Sequence, residues 1–508
     1  MLAASAGTTS VDHTIARKHP TTGAVSRRGL VLAAAMMAIF MAAVESTIVA
    51  TAMPSIVADL GGFHLFSWVF TAYLLTTAVM IPIYGRLADL YGRKPVFFAG
   101  ASLFLVGSTL CGLARSMEAL IAFRALQGLG AGAIQPIATT IVGDIYTPAE
   151  RARIQGFISG VFGLSAIIGP ALGAILVEHG SWPVVFWVNL PIGLAAFVMF
   201  AIFLHERIEP RRHRIDYVGA LLLTLGAGSL MTGLVQSGDL DRTAVVGLLV
   251  LGLVALVGFV VHERRTPEPM LALRLWRDRF IAVGNLGGLI LGAVMMGITA
   301  FLPTYIQAVD GGSARSAGLV LTAMSVTWTL GSIVAGRLMI ATSYRLTATV
   351  GALALIAGAL VLFALTPPRG VDWASVGALL VGVGMGFCNT TFIVAVQASV
   401  DWAERGAATS STMFMRIVGQ ALGAASFGAI LNLGVQRYAP DAAGAINRLM
   451  APALRQAMPA EEVERLTQAV AMALHHVYLT TGLLAAAMIF LARSLPRGFN
   501  PTRHTRRV

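Results

Sequence analysis

Gly85-Arg86-Leu87-Ala88-Asp89-Leu90-Tyr91-Gly92-Arg93-Lys94 lies between two long apolar stretches and carries three fixed positive charges and one carboxylate. Hydrocarbon cannot hold such a loop. If the flanking stretches span a bilayer, the loop sits at a membrane face, and its arginines and lysine place that face on the cytoplasmic side. Gly85 and Gly92 let the backbone turn tightly and let helix ends approach closely. Asp89 can satisfy exposed backbone donors or pair with a neighbouring arginine.

The composition around this loop decides the class. Of 508 residues, 56% are hydrophobic and 12% are charged, whereas soluble domains carry about 25% charge. The chain therefore reads as an all-α polytopic membrane protein. A net charge of +12 and a pI near 10.5 would suit a nucleic-acid partner, but the charges lie between apolar spans instead of lining a groove or a basic helix, so none is expected. Cys111 and Cys388 fall inside spans without CxxC or Cys/His spacing. Neither a disulfide framework nor a metal site is expected.

A span needs about 20 apolar residues to cross roughly 30 Å of hydrocarbon. Fourteen segments qualify, near residues 30–56, 65–85, 95–114, 119–142, 154–177, 183–204, 217–237, 243–262, 280–307, 316–336, 346–366, 374–398, 407–433 and 474–494. An even number puts both termini on one side. Of the 36 Lys/Arg, Arg124 and Arg416 lie within spans, eight fall in the loops of one side, and 26 fall in the tails and the loops of the other. Both ends are thus expected in the cytoplasm. Arg27 and Arg28 before the first span imitate a secretory signal, but the apolar run continues past Glu45 to Met53, too long for a signal core.

The expected organisation is a disordered tail over 1–29, a six-helix bundle over 30–204, a cytoplasmic linker over 205–216 and two further helices over 217–262. A cytoplasmic loop over 263–279, a second six-helix bundle over 280–494 and a tail over 495–508 complete it. The external segment 436–473 mixes Arg455 and Arg465 with Glu461, Glu462 and Glu464, a spacing that suggests an amphipathic surface helix.

Glu45 is the one carboxylate placed deep in a span, and an ionisable group there is a functional candidate by default. A rise of 1.5 Å per residue from Leu30 puts it roughly 22 Å above the inner face, and the same arithmetic puts Arg124 on the descending fourth span at roughly 20 Å. Burial favours the neutral acid and a nearby guanidinium favours the carboxylate. A motion that changes their separation therefore changes proton occupancy. A permanent structural ion pair satisfies the same residues. Arg124, Gly128, Ala131 and Gln135 share one helical face with Gln127 beside it. On the fifth span, Gly163, Gly169-Pro170 and Gly173 form a small-residue stripe that permits close packing and bending. Trp68, Thr71, Tyr73, Gln127, Gln135, Asn389, Thr391 and Gln397 are the candidate substrate contacts, and together they suggest a large, mostly apolar cavity.

Five stretches carry a family resemblance. The loop Gly85 to Lys94 resembles the signature between helices two and three of the major facilitator superfamily. Glu45-Ser46-Thr47-Ile48-Val49-Ala50-Thr51-Ala52-Met53-Pro54 is similar to the first-helix motif of its drug:proton antiporters, with Glu where Asp is usual. Arg124-Ala125-Leu126-Gln127-Gly128 resembles their arginine motif. Gly163 to Ala174 resembles the motif that separates exporters from importers, and departs from it only at Ala174. Arg416-Ile417-Val418-Gly419-Gln420 is similar to their second arginine-glycine stretch. The count of six, two and six helices resembles the fourteen-helix QacA and EmrB type.

The resemblance implies the major facilitator fold in a bacterial cytoplasmic membrane. It implies proton coupling at Glu45 and Arg124, and an inner gate of Gly85, Asp89, Gly92, Arg93 and Arg416 in which Asp89 docks on the start of the thirteenth helix. Trp182, Trp187, Asn189 and Pro191 match a family stretch and read as structural. The function implied is proton-coupled export of lipophilic or cationic drug-like compounds by alternating access. Export of an endogenous metabolite, siderophore or lipid is the alternative, with a non-transporting sensor more remote. HExxH, GxSxG and paired intramembrane carboxylates are absent, so an enzyme is not expected. No GxxxxGK[ST] is present either, which leaves the proton gradient as the energy source with no cofactor. A periplasmic adaptor and an outer-membrane channel stay open as partners.

Overall fold

The computed structural model describes residues 27–146, 148–206, 216–237, 240–266, 269, 271, 273–366, 370–400, 405–440, 445–450 and 452–495. The tails and most of the 205–216 linker lie outside them. The described residues are almost entirely helical. In chain order the long helices are α1 (Arg28–Leu60), α2 (Phe66–Tyr91), α3 (Arg93–Gly112), α4 (Met117–Ile145), α5 (Pro148–His179), α6 (Asn189–Phe203), α7 (Tyr217–Val235) and α8 (Arg242–Glu263). They continue with α9 (Arg279–Thr299), α10 (Ala314–Ala341), α11 (Tyr344–Phe363), α12 (Gly370–Ser399), α13 (Arg405–Tyr438) and α14 (Ala460–Ser494).

Thirteen of these helical segments are long and apolar enough to cross a membrane. The thirteen do not include α4, in which Arg124, Gln127 and Gln135 lower the hydropathy. Serine and aspartate side chains set several starts: Ser116, Asp216, Asp241, Asp278, Ser313 and Ser343 each accept a hydrogen bond from a backbone N–H of the helix they precede.

Three expectations change in detail. The sixth span is broken: a turn over Val184–Trp187 precedes α6, so Asn189 is the first residue of a helix rather than part of a continuous one. The ninth span ends at Thr299 and resumes as Leu302–Thr304 and a π turn, Tyr305–Val309, with Pro303 removing one backbone donor at the break. The external segment holds two short helices, Ala445–Met450 and Pro452–Gln456, and then α14 begins at Ala460 and runs on unbroken. Glu461 and Glu462 stabilise that early start because they sit on the positive end of the helix dipole.

Packing neighbours fall into two sets. In the first, α1 packs on α4, α5 and α6, and α4 packs on α2 and α3. In the second, α12 packs on α10 and α11, and α13 and α14 pack on α9. The helices α7 and α8 lie against each other, and α7 reaches α2 and α13. On α8, Val246, Val250, Leu253, Val254 and Val257 are all exposed, an apolar flank suited to lipid.

The two sets meet along α5 with α10 and α2 with α13, and several hydrogen bonds join them at the end where α1 finishes. There Gln307 Nε2 donates to Thr51 O (3.4 Å), the Arg315 N–H to Glu178 Oε1 (2.9 Å), and Asn432 Nδ2 to His64 O (2.7 Å). At the opposite end, a Cβ at Gly85, Gly160 or Gly336 would meet nothing within 4 Å.

Candidate functional site

The centre of the first set is a dry polar cluster built from four helices. Glu45 on α1, Arg124 and Gln127 on α4 and Ser108 on α3 are essentially without solvent exposure, as is Asn189 at the start of α6. Arg124 Nη1 pairs with Glu45 Oε1 and also donates to Gln127 Oε1 (2.6 Å), while its Nε donates to the Val69 carbonyl on α2 (3.1 Å). The other carboxylate oxygen is taken by Asn189: its Nδ2 donates to Glu45 Oε2 (2.6 Å) and to Ser108 Oγ (2.9 Å). Gln127 Nε2 donates to the same hydroxyl (3.1 Å), and that hydroxyl donates to the Phe186 carbonyl (2.8 Å). The Tyr73 ring covers the guanidinium, 4.0 Å from its centroid.

Glycine makes this closeness possible. A Cβ at Gly107 would press on the Gln127 backbone, and one at Gly128 would overlap Thr76 and Tyr73, so α4 can lie against α3 and α2 only with hydrogen at those positions. Removing both charges from water is costly, and the pairing with satisfied lone pairs offsets that cost only while the geometry holds. The carboxylate, the group that a broken pair would leave uncompensated, is carried by α1.

The structure thus brings Glu45, Arg124, Tyr73 and Gln127 together. It adds Ser108 and Asn189. Asn189, read from sequence as structural, contacts the acid directly; the available signal was a lone amide in the apolar run from Pro183 to Phe203. The remaining substrate candidates are dispersed. The indole N–H of Trp68 and the hydroxyl of Thr71 are buried on α2 without partners among the described residues. Gln135 is half-buried on α4. On α12, Thr391 Oγ1 donates to its own helix and Gln397 Nε2 to Thr409 Oγ1 (3.3 Å), while Asn389 is half-buried.

At the α2–α3 turn, Gly92 has φ +93°, a conformation that only glycine adopts freely, whereas Gly85 is plain exposed helix. Arg93 Nε pairs with Asp144 at the end of α4 (3.0 Å). The N–H groups of Arg93 and Lys94 donate to the two oxygens of Glu206 (2.7 and 2.9 Å), a cap that sequence reading missed. The Asp89 side chain and the side chains opening α13 lie outside the described residues, and so does their expected contact. Arg416 stands eleven residues into α13, roughly 16 Å along it. It is not joined to the Arg93 cluster, and its Nε is buried without a partner among the described residues.

The fifth-span stripe packs in two directions. Cβ atoms at Gly169 and Gly173 would overlap Thr47 and Thr51 of α1, while Gly163 faces Thr329 of α10 and Pro170 O abuts Gly318 of the same helix.

Residues 35–424 match the profile of the Major Facilitator Superfamily. The chain belongs to this superfamily. Among its relatives, Multidrug resistance protein 3 of Bacillus subtilis is 36% identical over 413 residues, 81% of each chain. The multidrug transporter protein MdtP of the same organism is 35% identical over 413 residues, 81% of this chain and 76% of its own. A solved structure, the bacterial homologue of the human lysosomal transporter Spinster in an inward-facing and unoccupied conformation, superposes with TM-score 0.65. It does so at 17% identity, covering 93% of this chain and 98% of its own. The protein is a multi-pass membrane transporter with multidrug efflux relatives, and not an enzyme.

Proposed function

We infer that the chain is a proton-coupled antiporter that exports lipophilic, neutral or monocationic drug-like compounds across the bacterial cytoplasmic membrane. It has fourteen spans arranged as six, two and six, with both termini in the cytoplasm. The observation that carries this reading is the Glu45 cluster: one acid on α1 whose two oxygens are held by donors from other helices. The names of the two multidrug relatives support the substrate class.

In the closed cluster the carboxylate is neutralised by Arg124 and needs no proton. When α1 shifts so that Arg124 no longer reaches Oε1, a buried carboxylate is left uncompensated and takes up a proton. Asn189 can serve both states. Its Oδ1 has no partner among the described residues, so an amide turned end for end accepts from the protonated acid, where Nδ2 donates to the carboxylate. The proton gradient then drives the cycle, with substrate and proton favouring opposite states of α1. One embedded acid gives limited compensation for cationic cargo, and Arg416, whose Nε has no partner among the described residues, disfavours dications further.

The test is substrate-induced reversal of acidification in everted vesicles, using a fluorescent lipophilic cation, for the wild type and for Glu45→Gln at matched expression. The reading requires a wild-type response that Glu45→Gln abolishes. A correctly inserted wild type that ignores every drug-like cation would instead direct the search to a specific endogenous cargo.

A further inference from the structure

Five buried polar atoms gather near the end where the two sets of helices meet, and none has a hydrogen-bond partner among the described residues. They are both carboxylate oxygens of Asp310 and the hydroxyls of Tyr305, Tyr478 and Thr467. The two tyrosines have no solvent exposure, and their rings lie 6.5 Å apart. Asp310 directly follows the π turn Tyr305–Val309, a geometry that is rare and frequent at functional sites.

The cation beside it is engaged elsewhere. Arg455 Nη1 donates to the carbonyls of Gln307 (3.3 Å) and Ala308 (2.9 Å), and Nη2 to that of Val309 (3.5 Å). Gln307 in turn reaches Thr51 O on α1 (3.4 Å). Arg455 therefore clamps the π turn, and the π turn holds α1. An open cavity of about 620 Å³, lined by Gly311, Arg455, Glu464 and Thr467 among others, lies alongside.

We propose that Asp310 is a second proton-binding site, separate from Glu45, and that its protonation latches this end of the molecule shut. With Asp310 neutral, Arg455 stays on the three carbonyls and the contact from Gln307 to α1 persists. With Asp310 ionised, the carboxylate competes for Arg455, the π turn loses its clamp and α1 is released.

The charges facing the site agree. Burial pushes the Asp310 carboxyl up to about 6, with the Arg455 charge acting the other way. The two phenols contribute no charge in this range, and Glu464, which lines the same cavity, accepts from Gln468 Nε2 (3.3 Å). Opening hydrates Asp310 and returns it towards the ordinary 3.8. The closed form thus holds the proton more tightly, and acidification from pH 7 to pH 5 raises the closed-to-open ratio by about tenfold.

The proposal rests on the alternating-access reading only in requiring that this end opens, and its test uses no substrate. Spin labels on Ser181→Cys and Gln468→Cys, both exposed positions at this end, report the separation in nanodiscs by double electron-electron resonance. Native Cys111 and Cys388 are fully buried and stay unlabelled. The expected wild type shows one short distance at pH 5 and a longer population that grows above pH 6. Asp310→Asn keeps the short distance up to pH 8, and Arg455→Gln shows the longer one already at pH 5. A wild-type distribution that is the same at pH 5 and pH 8 overturns the proposal. So does an Asp310→Asn protein that opens with the wild-type midpoint, and if Glu45→Gln then removes that midpoint, the switch belongs to Glu45. Failure of the export reading in vesicles would leave this result standing.

Discussion

Asn189 takes the oxygen of Glu45 that Arg124 leaves free. The acid is therefore held from two helices at once, by a charge on α4 and by an amide on α6, and neither oxygen has a spare contact to lose.

Asn189→Leu removes the neutral half of that grip and leaves Glu45 Oε2 without its donor, while Ser108 Oγ keeps Gln127 Nε2. A buried acceptor stripped of its partner costs about 1–3 kcal/mol. The variant is expected to unfold at lower temperature in detergent and to transport poorly, whereas Asn189→Gln should behave no worse than Leu. Wild-type stability in the Leu variant would mean that the amide is not holding the acid.

Breaking the ion pair from one side should cost more than removing it whole. Arg124→Ala strands a buried carboxylate, a loss of about 3–5 kcal/mol. The double variant Arg124→Ala with Glu45→Gln leaves no charge in this cluster and should recover part of that stability without recovering coupled transport. A double-mutant cycle in thermal unfolding measures the difference, and a double variant less stable than Arg124→Ala alone would refute a mutual interaction.

Gly169→Ala drives a methyl into Thr47 of α1. Overpacking of this kind costs about 1–3 kcal/mol. Thr47→Ala removes the hydroxyl that is struck, so the pair Gly169→Ala with Thr47→Ala should return close to wild-type melting. If the second change gives no relief, the crowding lies elsewhere on α5.

The raised Asp310 carboxyl predicts a pH dependence with a definite sign. The folded protein binds its proton more tightly than the unfolded chain, so its contribution to stability is complete below the ordinary 3.8 and is lost as pH rises through about 6. Melting temperature in detergent should therefore fall between pH 5 and pH 7, and Asp310→Asn should flatten that segment of the curve. A wild-type profile that rises with pH across this window, with Asp310→Asn following it, would contradict the assignment.

Span positions were legible because apolar length and arginine placement are one-dimensional signals. The meeting of Glu45 with Arg124 could be read as well, since depth along a helix follows from a constant rise per residue. The other partners could not. Asn189 and Ser108 are ordinary polar residues in apolar helices, and nothing in spacing says which oxygen an amide will face. Glu206 caps α3 from a connection more than a hundred residues away in sequence, a contact that exists only once α6 has folded back. The break after Thr299 depends on where α9 meets its neighbours, and the sequence offers only Pro303 to suggest it. Gly85 and Gly92 looked alike in sequence, yet only Gly92 turns the chain, because the helix before it does not end until Tyr91.

Glu45 travels on α1, while Arg124, Gln127 and Asn189 travel on α4 and α6. A shift of α1 that carries the carboxylate off Arg124 leaves it beside Asn189, whose amide can turn to meet the protonated acid. The cluster is wired as a changeover switch: one contact breaks while the other reverses, so the acid passes from a charge to a proton without standing alone.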